Sequence, residues 1–82
     1  MAWKFIFWDL DDEPDGNVDH ISEHGFTKHD VEYVLANPDR HDFSRSSGLP
    51  VIFGYTEEGE YVCVVYEEID DDTIRPVTAF PV

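Results

Sequence analysis

NVDHISEHGFTKHDVEYVLANP, residues 17–38, decides how this chain folds. It carries two helix signals in succession, with nothing strand-like between them. Asn17 is suited to cap a short helix that places Val18, Ile21 and His24 at helical spacing. Gly25 fits the left-handed position that ends such a helix. Thr27 then opens a second helix, with Asp30 three residues on as its capping-box partner. Phe26 and Val31 fall at the two positions of a hydrophobic staple. Val31, Val34 and Leu35 form the apolar stripe. The helix stops near Asn37 because Pro38 pushes the residue before it out of the α region.

The pattern changes on either side of this segment. Trp3 to Trp8 is almost wholly aromatic and aliphatic, which predicts a first strand buried on both faces. The acidic stretch from Asp9 to Asp15, broken by Pro14 and Gly16, predicts a loop. After the helices the period becomes two. Residues 40–47 read as a weak polar strand running into a turn at Ser47-Gly48, and Val51, Phe53 and Tyr55 alternate on one face. Glu57 to Glu60 is a turn, Tyr61 to Ile69 a strong strand, and Asp70-Asp71-Asp72 another turn. Thr73 to Val82 is a last strand, which Pro76 and Pro81 push towards an edge or a bulge. The order β-α-α-β-β-β-β predicts an α+β domain. Two N-terminal helices pack on one face of a mostly antiparallel four- or five-stranded sheet.

Eighty-two residues are one domain's worth, so residues 1–82 are read as a single unit. Six Phe, four Tyr and two Trp suit a small core, because each aromatic buries a large area. They also set the chain apart from disordered acidic tails, which are poor in such residues. Against 19 Asp and Glu stand only five Lys and Arg, giving a formal charge of −14. A surface of this sign repels phosphate backbones and anionic membranes and favours a cationic partner. The same charge also suits plain solubility or a salty medium. Cys63 is the only cysteine, so no internal disulfide forms, and its apolar neighbours predict a buried, inert thiol. No stretch reads as a membrane span or a signal peptide, so the cytoplasm is the expected address.

Few residues carry chemistry. His20 and His24 share a helix face, which is half of a metal site at most, so no metal and no cofactor are expected. The same pair could work as general acid and base near neutrality, or simply pack and cap. Arg45, with Ser46 and Ser47 before Gly48, could hold a phosphate or carboxylate. The alternative is a turn whose serines satisfy their own backbone. Arg75 is a second candidate anion contact, or a cross-strand partner of Glu67 or Glu68. There is no P-loop, no dinucleotide fingerprint and no nucleophile elbow.

Several short motifs together resemble the BrnT-like toxin family, a RelE-related group of toxin–antitoxin systems. They are Trp8-Asp9, then Asn17 through His24-Gly25-Phe26, then Val31 to Pro38, and finally Ile74-Arg75-Pro76-Val77-Thr78-Ala79. The resemblance implies a RelE-like fold and a metal-independent ribonuclease held in check by an antitoxin partner. It carries His24, Arg75 and His20 over as site residues. The chain departs from the family where Phe80 replaces an arginine and where Asp11, Asp12 and Glu13 replace basic residues.

Two functions are open on this reading. In the first, the chain is a ribonuclease toxin in which His20 or His24 moves the proton and Arg45 and Arg75 stabilise the transition state. In the second, it is a non-catalytic acidic module of the same fold that holds a basic protein partner. The charge disfavours RNA as a ligand.

Overall fold

The computed structural model describes residues 4–82. The two helices form as their end signals dictate. Helix α1 spans Asn17–Glu23 and helix α2 spans Lys28–Ala36. At the end of α1, Phe26 N–H donates to Ile21 O at 3.0 Å and Gly25 N–H to Ser22 O at 2.9 Å. Gly25 takes φ +85°, so this is a Schellman closure, open to glycine at little steric cost. Helix α2 opens with the full capping box: Thr27 N–H donates to Asp30 Oδ2 at 3.0 Å, and Asp30 N–H to Thr27 Oγ1 at 3.2 Å. Phe26 and Val31 are buried in the same cluster as Ile21, so one phenyl ring serves the end of α1 and the start of α2.

One expectation about α1 needs correction. The N-cap is Gly16, and Asn17 is the first helical residue. Its side chain does not cap the helix. It turns inward, only 1% exposed, because the segment that follows the first strand offers the Phe7 carbonyl and the Asp9 N–H, which its amide satisfies together.

The strands are β1 (Phe5–Ile6), β2 (Arg40–Phe43), β3 (Pro50–Tyr55), β4 (Tyr61–Glu68) and β5 (Thr73–Pro81). They form one five-stranded sheet in the order β1-β5-β4-β3-β2. The hairpins make it antiparallel, except that β1 runs parallel to β5, with Phe5 opposite Thr73. One strand differs from the sequence reading. The first is short and not buried on both faces: Ile6 packs against the main core beside Ile74, whereas Phe5, which is 62% exposed, and Phe7 fall on the opposite side of the strand, away from that core. Trp3 lies outside the described residues. Strand β5 is not an edge but lies between β1 and β4. Of the edge or bulge that the prolines predict, the bulge is what forms at Pro76: the register shifts between Val65 and Tyr66, so that Thr78 and Pro76 face them and Val77 bulges out.

The sheet has two unlike faces. Ile52, Val62, Val64, Tyr66, Ile74 and Ala79 point to the helices and close the main core with Ile21, Val31, Val34 and Leu35. Gly54 brings α2 close: a Cβ there would stand 3.1 Å from Val34 Cγ1 and 3.2 Å from the Asn37 carbonyl. The opposite face carries Val51, Cys63 and Val65, with Leu49, Phe53 and Val77 packed against them. Neither helix belongs to that cluster.

Candidate functional site

Arg75 sits on β5 opposite Glu67 of β4. Its guanidinium reaches two carboxylates, Asp9 Oδ2 at 2.8 Å and Glu67 Oε1 at 3.4 Å. Asp9 is itself built in. Its N–H donates to Asn17 Oδ1 at 2.8 Å, Asn17 N–H donates back to Asp9 Oδ2 at 2.9 Å, and Asn17 Nδ2 donates to Phe7 O at 2.9 Å. The Asn17 N–H above all, and then the Arg75 guanidinium, hold the Asp9 carboxyl below the usual carboxylate range, against the opposing effect of desolvation. Arg75 therefore ties the loop after β1 to the sheet, and its charge is already matched by two carboxylates. The pairing with Glu67 is the cross-strand bridge expected of it, and the stronger contact to Asp9 adds to that.

The two helix histidines do not form a shared centre. His20 Nδ1 lies 3.3 Å from the Val77 carbonyl at the bulge, and its charge also bears on Asp9. His24 is the C-cap residue of α1, with its ring 6.3 Å from that of Phe80. His20 and Arg75 thus share a neighbour in Asp9, whereas His24 faces an aromatic side chain. Among the described residues, no group of three or more His, Cys, Asp or Glu side chains could hold a metal ion. His29 pairs with Glu57 at 2.7 Å on the surface, which raises its pKa.

Arg45, Ser46 and Ser47 lie in the loop between β2 and β3. The hydroxyls there serve the loop: Ser44 Oγ meets Ser46 Oγ at 3.2 Å, and Leu49 N–H donates to Ser47 Oγ at 3.3 Å. Ser44 N–H donates to Leu49 O at 2.7 Å and Gly48, at φ +73°, donates to Ser44 O. That is the self-satisfied turn. Arg45 is exposed at its tip, and it is not among the side chains that line the groove beside the loop.

That groove is a marked feature of the described surface. It has a volume of about 480 Å³ and crosses the helix-free face of the sheet. Its floor is Val51, Phe53, Cys63, Val65 and Val77, and Phe43, Phe80 and Val82 form part of its walls. Ser44, Ser46, Ser47 and Asp42 supply a polar rim. Antiparallel sheets commonly keep one face polar for water, so an apolar face that neither helix covers departs from the usual alternation. Phe43 at its edge is 70% exposed. Burial raises the Cys63 thiol, which keeps it protonated and unreactive in the floor.

No family model, curated protein or solved structure matches the chain. No helix among the described residues is long and apolar enough to cross a membrane.

Sequence reasoning singled out neither Asp9 and Asn17 as partners nor this groove. The first had no spacing signal, because the pair lies eight positions apart across a loop. The second had one. Residues 61–66 are apolar without interruption, so both faces of β4 are apolar, and two short consecutive helices can cover one face of a sheet and no more.

Proposed function

We propose that this chain is a non-catalytic binding module whose helix-free sheet face docks a basic protein partner. The observation that carries the reading is the apolar groove on that face in a chain of net charge −14. Large exposed apolar surface rimmed by polar groups marks interaction sites in soluble proteins. The charge then selects the partner's sign, because complementary potentials steer encounter and like charges are rejected. The arrangement of two helices on one face of a mostly antiparallel sheet is compatible with descent from the BrnT-like, RelE-like proteins that the sequence resembles. An antitoxin-like basic protein is one partner of the right charge.

The test compares capture of a partner from the native host by the intact chain and by Phe43→Ser and Phe80→Ser, at increasing salt. Both side chains are exposed, so the melting temperature should stay close to that of the parent. A specific partner should be lost from both variants and released by salt. Capture that is indifferent to both substitutions would sink the reading.

A ribonuclease of the BrnT-like kind is the second reading, supported by the bond of Arg75 to Asp9, whose carboxylate also accepts from the first residue of the helix that carries His20. The two carboxylates on Arg75 weigh against it, since a phosphate would have to displace them. RNA cleavage at the same rate by the parent, His24→Ala and Arg75→Ala would remove it.

A further inference from the structure

The helix-free face has a second chemistry beside its groove. Towards the turn between β3 and β4 it becomes aromatic. Tyr55 pairs with Tyr61 across the two strands and Phe53 with Cys63, which brings three rings onto one face. Phe53 and Tyr61 stack with centroids 6.1 Å apart and planes at 18°, and Tyr55 tilts against Tyr61 at 4.7 Å. Tyr55 is 54% exposed. Tyr61 donates its hydroxyl to Asp39 Oδ2 at 3.0 Å, so a carboxylate stands at the end of the row. Glu57, Glu58 and Glu60 lie in the adjoining turn.

The chain itself shows what such a surface accepts. The guanidinium carbon of Arg40 lies 4.3 Å from the centre of the Phe53 ring. Its Nη2 is 3.7 Å from Asp42 Oδ2. One guanidinium is therefore already laid over this row, with a carboxylate beside it, and that combination is favoured for arginine by its planar, delocalised charge. Tyr55, Tyr61 and Asp39 bring the same kinds of group together, two rings in contact and a carboxylate on the Tyr61 hydroxyl, with Tyr55 exposed.

We propose that Tyr55, Tyr61 and Asp39 form a second guanidinium seat, which takes an arginine side chain of the partner whose apolar residues fill the neighbouring groove. The proposal rests on the binding-module reading and gives the partner a chemistry: an arginine followed or preceded by aliphatic side chains. A second copy of this chain does not fit, because two surfaces of net charge −14 repel. A lysine fits less well, because a compact ammonium cannot stack flat on a ring.

The test uses three small probes on the full chain, followed by backbone and aromatic NMR shifts: acetylarginine methylamide, its uncharged citrulline counterpart, and acetylnorleucine methylamide. The arginine probe should give saturable shifts centred on Tyr55, Tyr61 and Asp39, and the citrulline probe should bind at least tenfold more weakly. Tyr55→Ala and Asp39→Asn should each weaken the arginine probe several-fold, and the shift map on the unmodified chain stands whether or not either variant folds. Equal binding of arginine and citrulline, or shifts that miss these three residues, overturns the seat. The norleucine probe reports on the groove separately. Norleucine shifts at Val65 and Val77, together with an aromatic corner that stays silent to the arginine probe, would overturn the seat while leaving the groove reading in place. An arginine response at the corner without any at the groove supports the seat and counts against the groove.

Discussion

Asn17→Ala tests whether the cross-link between the first loop and the first helix is structural. The substitution removes the amide that accepts from Asp9 N–H and donates to Phe7 O, both at under 3 Å and partly buried. Two backbone groups lose their partners. A fully buried group left unsatisfied costs about 1–3 kcal/mol. With partial access of water to both, the lower end applies, and the expected loss is about 2–3 kcal/mol in total. At a urea dependence of about 1 kcal/mol per molar, the unfolding midpoint should fall by about 2–3 M. The melting temperature should drop by roughly 8–24 °C for a domain of this size. Ser22→Ala, on the same helix but exposed, is the control and should stay within about 0.5 kcal/mol of the parent. Equilibrium urea melts followed by far-UV circular dichroism make the comparison. If Asn17→Ala also falls within about 0.5 kcal/mol of the parent, the amide is not holding the loop, and the placement of Asp9 against Arg75 needs another cause.

Three further outcomes follow from the same structure. Gly54→Ala should cost about 1–3 kcal/mol in a urea melt, since its Cβ would press on Val34 and the Asn37 carbonyl; an unchanged midpoint would mean that α2 can back away from β3. Raising sodium chloride from low to moderate concentration should raise the melting temperature, because it screens the mutual repulsion of 19 carboxylates; a flat or falling melt would refute self-repulsion as a destabilising force. Stability should also depend on pH from both sides. Asp9 and Asp70 have lowered carboxyl pKa values in the fold, so their contribution is present above the ordinary value of 3.8 and is lost as pH falls below it. His29 is raised by Glu57, so its contribution is complete below 6.5 and is lost as pH rises through the folded value. A thermal melt series should therefore peak between about pH 4 and 6.5, and His29→Ala should flatten only the upper limb.

The helices were legible because their ends are written in short-range chemistry. Thr27 with Asp30, Phe26 with Val31, and Gly25 all act within five residues, and each does in the fold what its position predicts. The hairpins were legible for the same reason. What depends on distant residues was not. Pro76 pointed to an edge or a bulge, and only the pairing of β1 beyond it shows that the bulge, on an inner strand, is the answer. Phe5 looks like core until Ile6 is seen to take the core side of that short strand. At the candidate site, Arg75 was visible as a cation with Glu67 opposite, yet Asp9, its closer partner, lies 66 residues away. The aromatic row of Phe53, Tyr55 and Tyr61 was visible as alternation, but its neighbourhood depends on which residues the β3–β4 register sets side by side.

The parallel pairing of β1 with β5 has a consequence for how the molecule is made. Asp9 leaves the ribosome 66 residues before Arg75. At about 5–20 residues per second that is a wait of roughly 3–13 s. During this interval Phe5, Phe7 and Leu10 have no sheet to join, and the helices have only part of their platform. The antiparallel strands β2 to β4 can assemble as they emerge, but the sheet completes its far edge last. Newly made chains therefore carry the β1 segment without its strand partner for that interval, open to any chaperone or protease that meets them.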